Sequence, residues 1–125
     1  MQNQPTLTAP DAPFSVTSTP ASAALDAVMS RIHNAVSAAA RPVPTRLLAV
    51  SKFHPADAVA ALATAGQRAF GENYVQEGAG KARALAGLGL EWHLIGHLQS
   101  NKCREAAEAF DWVQSLDRVK LVAAL

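Results

Sequence analysis

Cysteine is nearly missing from this 125-residue chain: Cys103 stands alone. A single thiol closes no internal disulfide and builds no thiolate metal cluster, and it fits a reducing compartment. An excess of one charge is missing too. Lys and Arg number 11 against 10 Asp and Glu, a formal net charge of +1. Nothing in that balance points to nucleic acid or to an acidic membrane surface. Half of the residues are hydrophobic, yet no long apolar run occurs, which excludes a transmembrane helix. His33, His54, His93 and His97 make no recognisable metal spacing, and Gly96 breaks any shared helical face for the last two. The expectation is a cytoplasmic protein with no metal, no nucleic-acid partner and no membrane partner.

The segment from Met1 to about Pro20 is rich in Pro, Thr, Ser, Ala and Gln, with Asp11 as its one charged side chain. It has no apolar stretch of signal-peptide length, and no arginine precedes Arg31. A disordered tail over 1–20 is expected, followed by one domain over 21–125. Leu25, Val28, Met29, Ile32 and Val36 recur at helical spacing, predicting a helix over 21–40 that Ser22 or Thr19 caps and Arg41-Pro42-Val43-Pro44 ends.

From Arg46 the pattern alternates. Strands are predicted at 46–51, 68–70, 91–95 and 112–115, with helices at 55–65, 74–86, 99–109 and from 117 onward. This is the βα period of a parallel barrel or open sheet. Four such units are half of an eight-stranded barrel, which typically needs about 200 residues or more. The chain is therefore expected to be a fragment.

Each predicted strand opens into polar chemistry. Leu47-Leu48-Ala49-Val50-Ser51 delivers Lys52; Phe70 delivers Gly71-Glu72-Asn73; Leu94-Ile95 deliver Gly96-His97; Val113-Gln114 deliver Ser115-Leu116-Asp117. Parallel α/β folds bind ligands where their strands end. An amine held there can condense with an aldehyde to a Schiff base, although Lys52 taken alone reads first as a surface lysine capping a strand.

The segments Ala49-Val50-Ser51-Lys52, Phe70-Gly71-Glu72-Asn73-Tyr74-Val75-Gln76-Glu77 and Trp92-His93-Leu94-Ile95-Gly96-His97-Leu98-Gln99-Ser100-Asn101-Lys102 resemble the pyridoxal phosphate homeostasis family, small relatives of the alanine racemase barrel. Ser115-Leu116-Asp117 resembles the family's next strand end. The resemblance implies an α/β fold, a (β/α)8 TIM-type barrel of which about the first four βα units are present. It also implies pyridoxal 5′-phosphate as cofactor, held as an aldimine on Lys52, in a protein that keeps cofactor levels in balance without clear turnover. The family's phosphate-holding segments fall beyond residue 125.

Among the other candidates, Asn73 suits either the cofactor's ring oxygen or a helix N-cap before Tyr74. Glu72 reads as a structural acceptor or ion-pair partner. His93 points into the barrel near the ring or is a satisfied core histidine. Gly96 permits close backbone approach or a positive φ. Ser115 completes the cofactor-binding set of Lys52, Asn73, His93, Gly96 and Ser115. Trp92 and Trp112 read as packing residues. The alternative functions are a racemase- or decarboxylase-type enzyme on the same cofactor, and a class I aldolase. Open sheet edges are expected to make the chain self-associate.

Overall fold

The computed structural model describes residues 19–125 and divides at Pro42 into two compact units. The first holds helix α1, Pro20–Ala39. Thr19 caps it and accepts from the Ser22 N–H, while the Ser22 hydroxyl serves the Thr19 backbone in return, so both expected caps act in one capping box. Pro20, fixed in φ and lacking an N–H, suits the first helical position. The helix thus begins at Pro20, one residue before the expected start, and the rest of the expected tail lies outside the described residues. Of the expected apolar stripe Leu25 is buried, whereas Val28 and Met29 are exposed.

The second unit is a parallel sheet with a helix after each strand. Its elements are β1 Ala49–Val50, α2 Ala56–Thr64, β2 Ala69–Glu72, α3 Val75–Ala84, β3 Glu91–Leu94, α4 Cys103–Ala109, β4 Trp112–Val113 and α5 Val119–Ala124. Single 3₁₀ turns, Ala86–Leu88 and Ser100–Lys102, precede β3 and α4. All three pairings are parallel, in the order β1-β2-β3-β4. The element sequence follows the predicted alternation, with β1 and β4 shorter than expected.

Alternation along the strands decides what is buried. Phe70, Trp92 and Leu94 point to the helical side, where they pack with Val59 of α2, Val75 of α3, Ala106 of α4 and Leu121 of α5. Burial of a large apolar side chain of this kind contributes about 1.5–3 kcal/mol. Gly78 lets α3 approach closely, because a Cβ there would lie 2.3 Å from the Phe110 ring. The opposite face carries Val50, Gly71, His93 and Trp112 in one register row. Trp92 is a packing residue as expected. Trp112 is not: it is 54% exposed, because its row faces away from the helices. Among the described residues no helix is long and apolar enough to cross a membrane.

Candidate functional site

The strand register gathers the candidates. Glu72, Leu94 and Val113 form one row. Ladder hydrogen bonds continue past the ends, from Ser51 N–H to Gly71, from Ile95 N–H to Glu72 and from Gln114 N–H to Leu94. Lys52, Asn73, Gly96 and Ser115 therefore follow the last ladder bonds along a single C-terminal edge. His93 sits lower, in the row of Val50 and Gly71. Lys52 itself is exposed.

The residues on either side of Lys52 are tied down. Lys81, buried on α3, donates to the Ser51 carbonyl at 2.7 Å, to Glu72 Oε2 at 2.8 Å and to Glu77 Oε2 at 2.9 Å. The Ser51 hydroxyl donates to Glu72, and Phe53 N–H donates to Glu77 at 2.6 Å. Phe53 lies at φ +67°, in the left-handed region. For a bulky residue that conformation costs on the order of 1–3 kcal/mol and needs surroundings that enforce it. Its ring leans on Tyr74, with centroids 5.8 Å apart. Burial alone would raise the Glu77 carboxyl, but hydrogen bonds from Lys81 and Phe53 N–H, with the Lys81 charge, hold it below its ordinary value. Burial would likewise lower Lys81, yet its bonds to Glu72 and Glu77 raise it. Glu72 is thus an ion-pair partner, as its sequence context suggests.

Asn73 does not cap α3. The cap residue is Tyr74, with no side-chain cap bond, and Asn73 Oδ1 is buried without a hydrogen-bond partner. Ser115 Oγ is buried and unpartnered too. Buried polar atoms are as a rule paired, so two such groups on one edge mark a place suited to a polar ligand. Asn73 also borders a groove of about 460 Å³ with Tyr74, Gln76, His97, Gln99 and Lys102. Gly96 settles the two readings given to it. Its φ is not among the positive values, and a Cβ there would lie 2.2 Å from the Asn73 carbonyl oxygen, so close approach is its role.

His93 is buried on the open face. Its Nδ1 lies 2.7 Å from Gln114 Nε2, and its ring stacks on Trp112 at 5.7 Å and 3°. Nε2 has no hydrogen bond, with the Glu91 carboxylate 3.6 Å away. Glu91 in turn accepts from Arg46 and from Trp112 Nε1, bonds that hold its carboxyl below the usual range. Trp112 is accordingly a stacking partner of His93. Lys81, Glu77 and Glu91 were not singled out from sequence. The four-residue spacing of Glu77 and Lys81 was a readable ion-pair signal. Their reach to Ser51 and Phe53 was not, because it depends on how α3 docks.

No protein-family model matches the chain. A pyridoxal phosphate homeostasis protein of Pseudomonas aeruginosa is 54% identical over 99 residues, covering 78% of this chain and 43% of the relative. A solved structure of PipY from Synechococcus elongatus, with pyridoxal phosphate bound, matches with a TM-score of 0.63 at 46% identity, covering 75% of this chain and 46% of PipY. A crystal structure of an unknown protein from Bifidobacterium adolescentis matches with a TM-score of 0.74 at 32% identity, over 83% of this chain and 47% of that one. The chain spans less than half the length of the curated relatives it matches. Over about 78% of its length, and in its parallel α/β architecture, the chain is similar to one part of the pyridoxal phosphate homeostasis proteins.

Proposed function

We propose that this chain carries the amine end of a pyridoxal phosphate site, with Lys52 as the residue that takes the cofactor's aldehyde. The observation that carries the reading is the common edge that joins Lys52, Gly96 and the unpartnered Asn73 Oδ1 and Ser115 Oγ. The solved PipY structure with pyridoxal phosphate supports it. The residues present fit the aldehyde and ring of the cofactor: an exposed primary amine, two groups able to hydrogen-bond polar ring atoms, and a glycine that keeps Asn73 in place. Bound cofactor supplies a reactive aldehyde and an electron-withdrawing ring. Lys52 binds, Asn73 and Ser115 orient, and His93 closes the floor of the site with its Gln114 bond and its Trp112 stack.

The sheet is read as the first four βα units of a (β/α)8 barrel of the alanine racemase type, and the resemblance puts the phosphate-holding segments in the rest of that barrel. The proposed role is cytoplasmic cofactor homeostasis without turnover; the naming of the relatives supports the homeostasis part of it.

The test is to mix the chain with pyridoxal phosphate, reduce with borohydride and map the adduct by mass spectrometry. A single adduct on Lys52, lost in Lys52→Ala, is expected. Labelling spread over Lys81, Lys102 and Lys120 overturns the reading. Product formed from an added amino acid would favour the racemase or decarboxylase alternative.

A further inference from the structure

We propose that Lys81 is a positioning residue, which together with Glu72 and Glu77 holds the backbone turn that presents Lys52. The inference rests on the reading of Lys52 as the cofactor's amine. An ammonium group has three protons, and Lys81 commits one to each of Ser51 O, Glu72 Oε2 and Glu77 Oε2. Ser51 and Phe53 are the two peptide neighbours of Lys52, and both are held: Ser51 at its carbonyl and hydroxyl, Phe53 at its N–H.

The Lys52 side chain takes no part in this network, so its amine is left for chemistry while its backbone is fixed. The left-handed Phe53 shows that the turn is imposed from outside, because a bulky residue does not choose that region unaided. His54 N–H closes the turn onto the Ser51 carbonyl at 3.1 Å, the same oxygen that Lys81 holds. An ion pair that served only to join α3 to the sheet would need neither the Ser51 carbonyl nor the Phe53 N–H. The depressed Glu77 carboxyl keeps the acceptor for Phe53 charged at neutral pH.

The experiment uses the whole chain with Lys81→Met, Glu77→Ala and Glu77→Gln. Two quantities are read: amide exchange at Phe53 and His54 without cofactor, and the rate of borohydride-trapped labelling at Lys52 with pyridoxal phosphate. Lys81→Met and Glu77→Ala should each speed Phe53 exchange and slow Lys52 labelling by about tenfold, the scale of one lost charge-assisted hydrogen bond. Glu77→Gln, whose amide oxygen still accepts from Phe53, should keep most of both.

Unchanged exchange and labelling in folded Lys81→Met or Glu77→Ala overturns the proposal. So does a Glu77→Ala chain that loses protection evenly across the sheet and not first at Phe53. If Lys81→Met does not fold, the Glu77→Ala and Glu77→Gln pair decides by the same criteria. If wild type fails to label Lys52 selectively, the cofactor reading falls, and the Phe53 exchange pattern alone decides whether the turn is held by Lys81.

Discussion

The two faces of one sheet are built from alternate residues of the same strands, yet they differ in kind. On the helical face Phe70 is 1% exposed and Leu94 fully buried; on the other, Val50 is 52% exposed and Trp112 54%. Phe70 and Gly71 are adjacent in β2 and belong to opposite faces. The helical face has the composition of a finished core. The open face mixes apolar side chains with Arg46, Glu91, His93 and Gln114, joined by hydrogen bonds. Stability therefore resides on one side, and the groups that can act on a ligand lie on the other and along its upper edge.

The strongest way to break this comparison is to truncate both faces. Phe70→Ala should lower unfolding free energy by about 3–5 kcal/mol, since it removes a ring from a packed core. Val50→Ala should stay within roughly 0.5 kcal/mol, as surface substitutions do. Urea titrations of both variants check this. Equal losses would mean that Val50 is packed as tightly as Phe70 and that the contrast between the faces is false.

A pair of glycines sharpens it next. Gly96→Ala drives a Cβ against the Asn73 backbone and should cost about 1–3 kcal/mol. Gly80→Ala in α3 meets nothing within 4 Å, and should stabilise by about 0.4–1 kcal/mol because alanine restricts the unfolded chain. Opposite signs in thermal unfolding are the expected result; the same sign for both would refute the close approach assigned to Gly96.

The open face also predicts association. Val50 and Trp112, with β1 and β4 as edge strands, form an apolar, pairing-competent surface, and Val50→Lys should reduce self-association several-fold in sedimentation velocity. Association unaffected by that charge would place the contact elsewhere, with the exposed Val119 and Val122 of α5 as the next surface to test.

Much of this architecture was readable in the residues. Short β-like runs punctuated by Gly66, Gly89 and the helical periods between them fixed the βα order, and the polar residues after each run marked the edge. Lys52, Asn73, Gly96 and Ser115 could be placed on one edge because a parallel sheet must bring its strand ends together, while their cofactor role was implied by the family resemblance. What escaped was side-chain geometry across elements. Trp112 reads as a core tryptophan by type, and its face is settled by the register of β4 against β3. Asn73 reads as an N-cap by type, but α3 starts one residue later than that cap requires. Lys81 gives no site signal in the sequence, and is buried because Glu72 stands opposite it on the helical face. Propensity and spacing speak within an element; these three residues were decided between elements.

The smallest effect expected concerns pH, and it tests the Lys81 cluster from the side of stability. The Glu77 carboxyl is depressed below 4.5, so the stability it contributes is present above pH 4.5 and is lost as pH falls through its lower folded value. Lys81 is raised above 10.5, so its contribution is present below pH 10.5 and is lost as pH rises through its higher folded value. The Lys81–Glu77 pair enters both limbs, with Glu72 beside it on the basic limb and Phe53 N–H on the acid one. Lys81→Met should therefore remove the part of the high-pH limb that Lys81 contributes and weaken the acid limb by roughly a kcal/mol or less, because Glu77 keeps its bond from Phe53 N–H and is partly exposed. Urea midpoints measured from pH 3 to pH 11 on both chains, with the range set by those two reference values, make the comparison. If the variant keeps the full acid limb, Glu77 owes its low value to Phe53 alone, and Lys81 acts on the turn through Ser51 and Glu72 only.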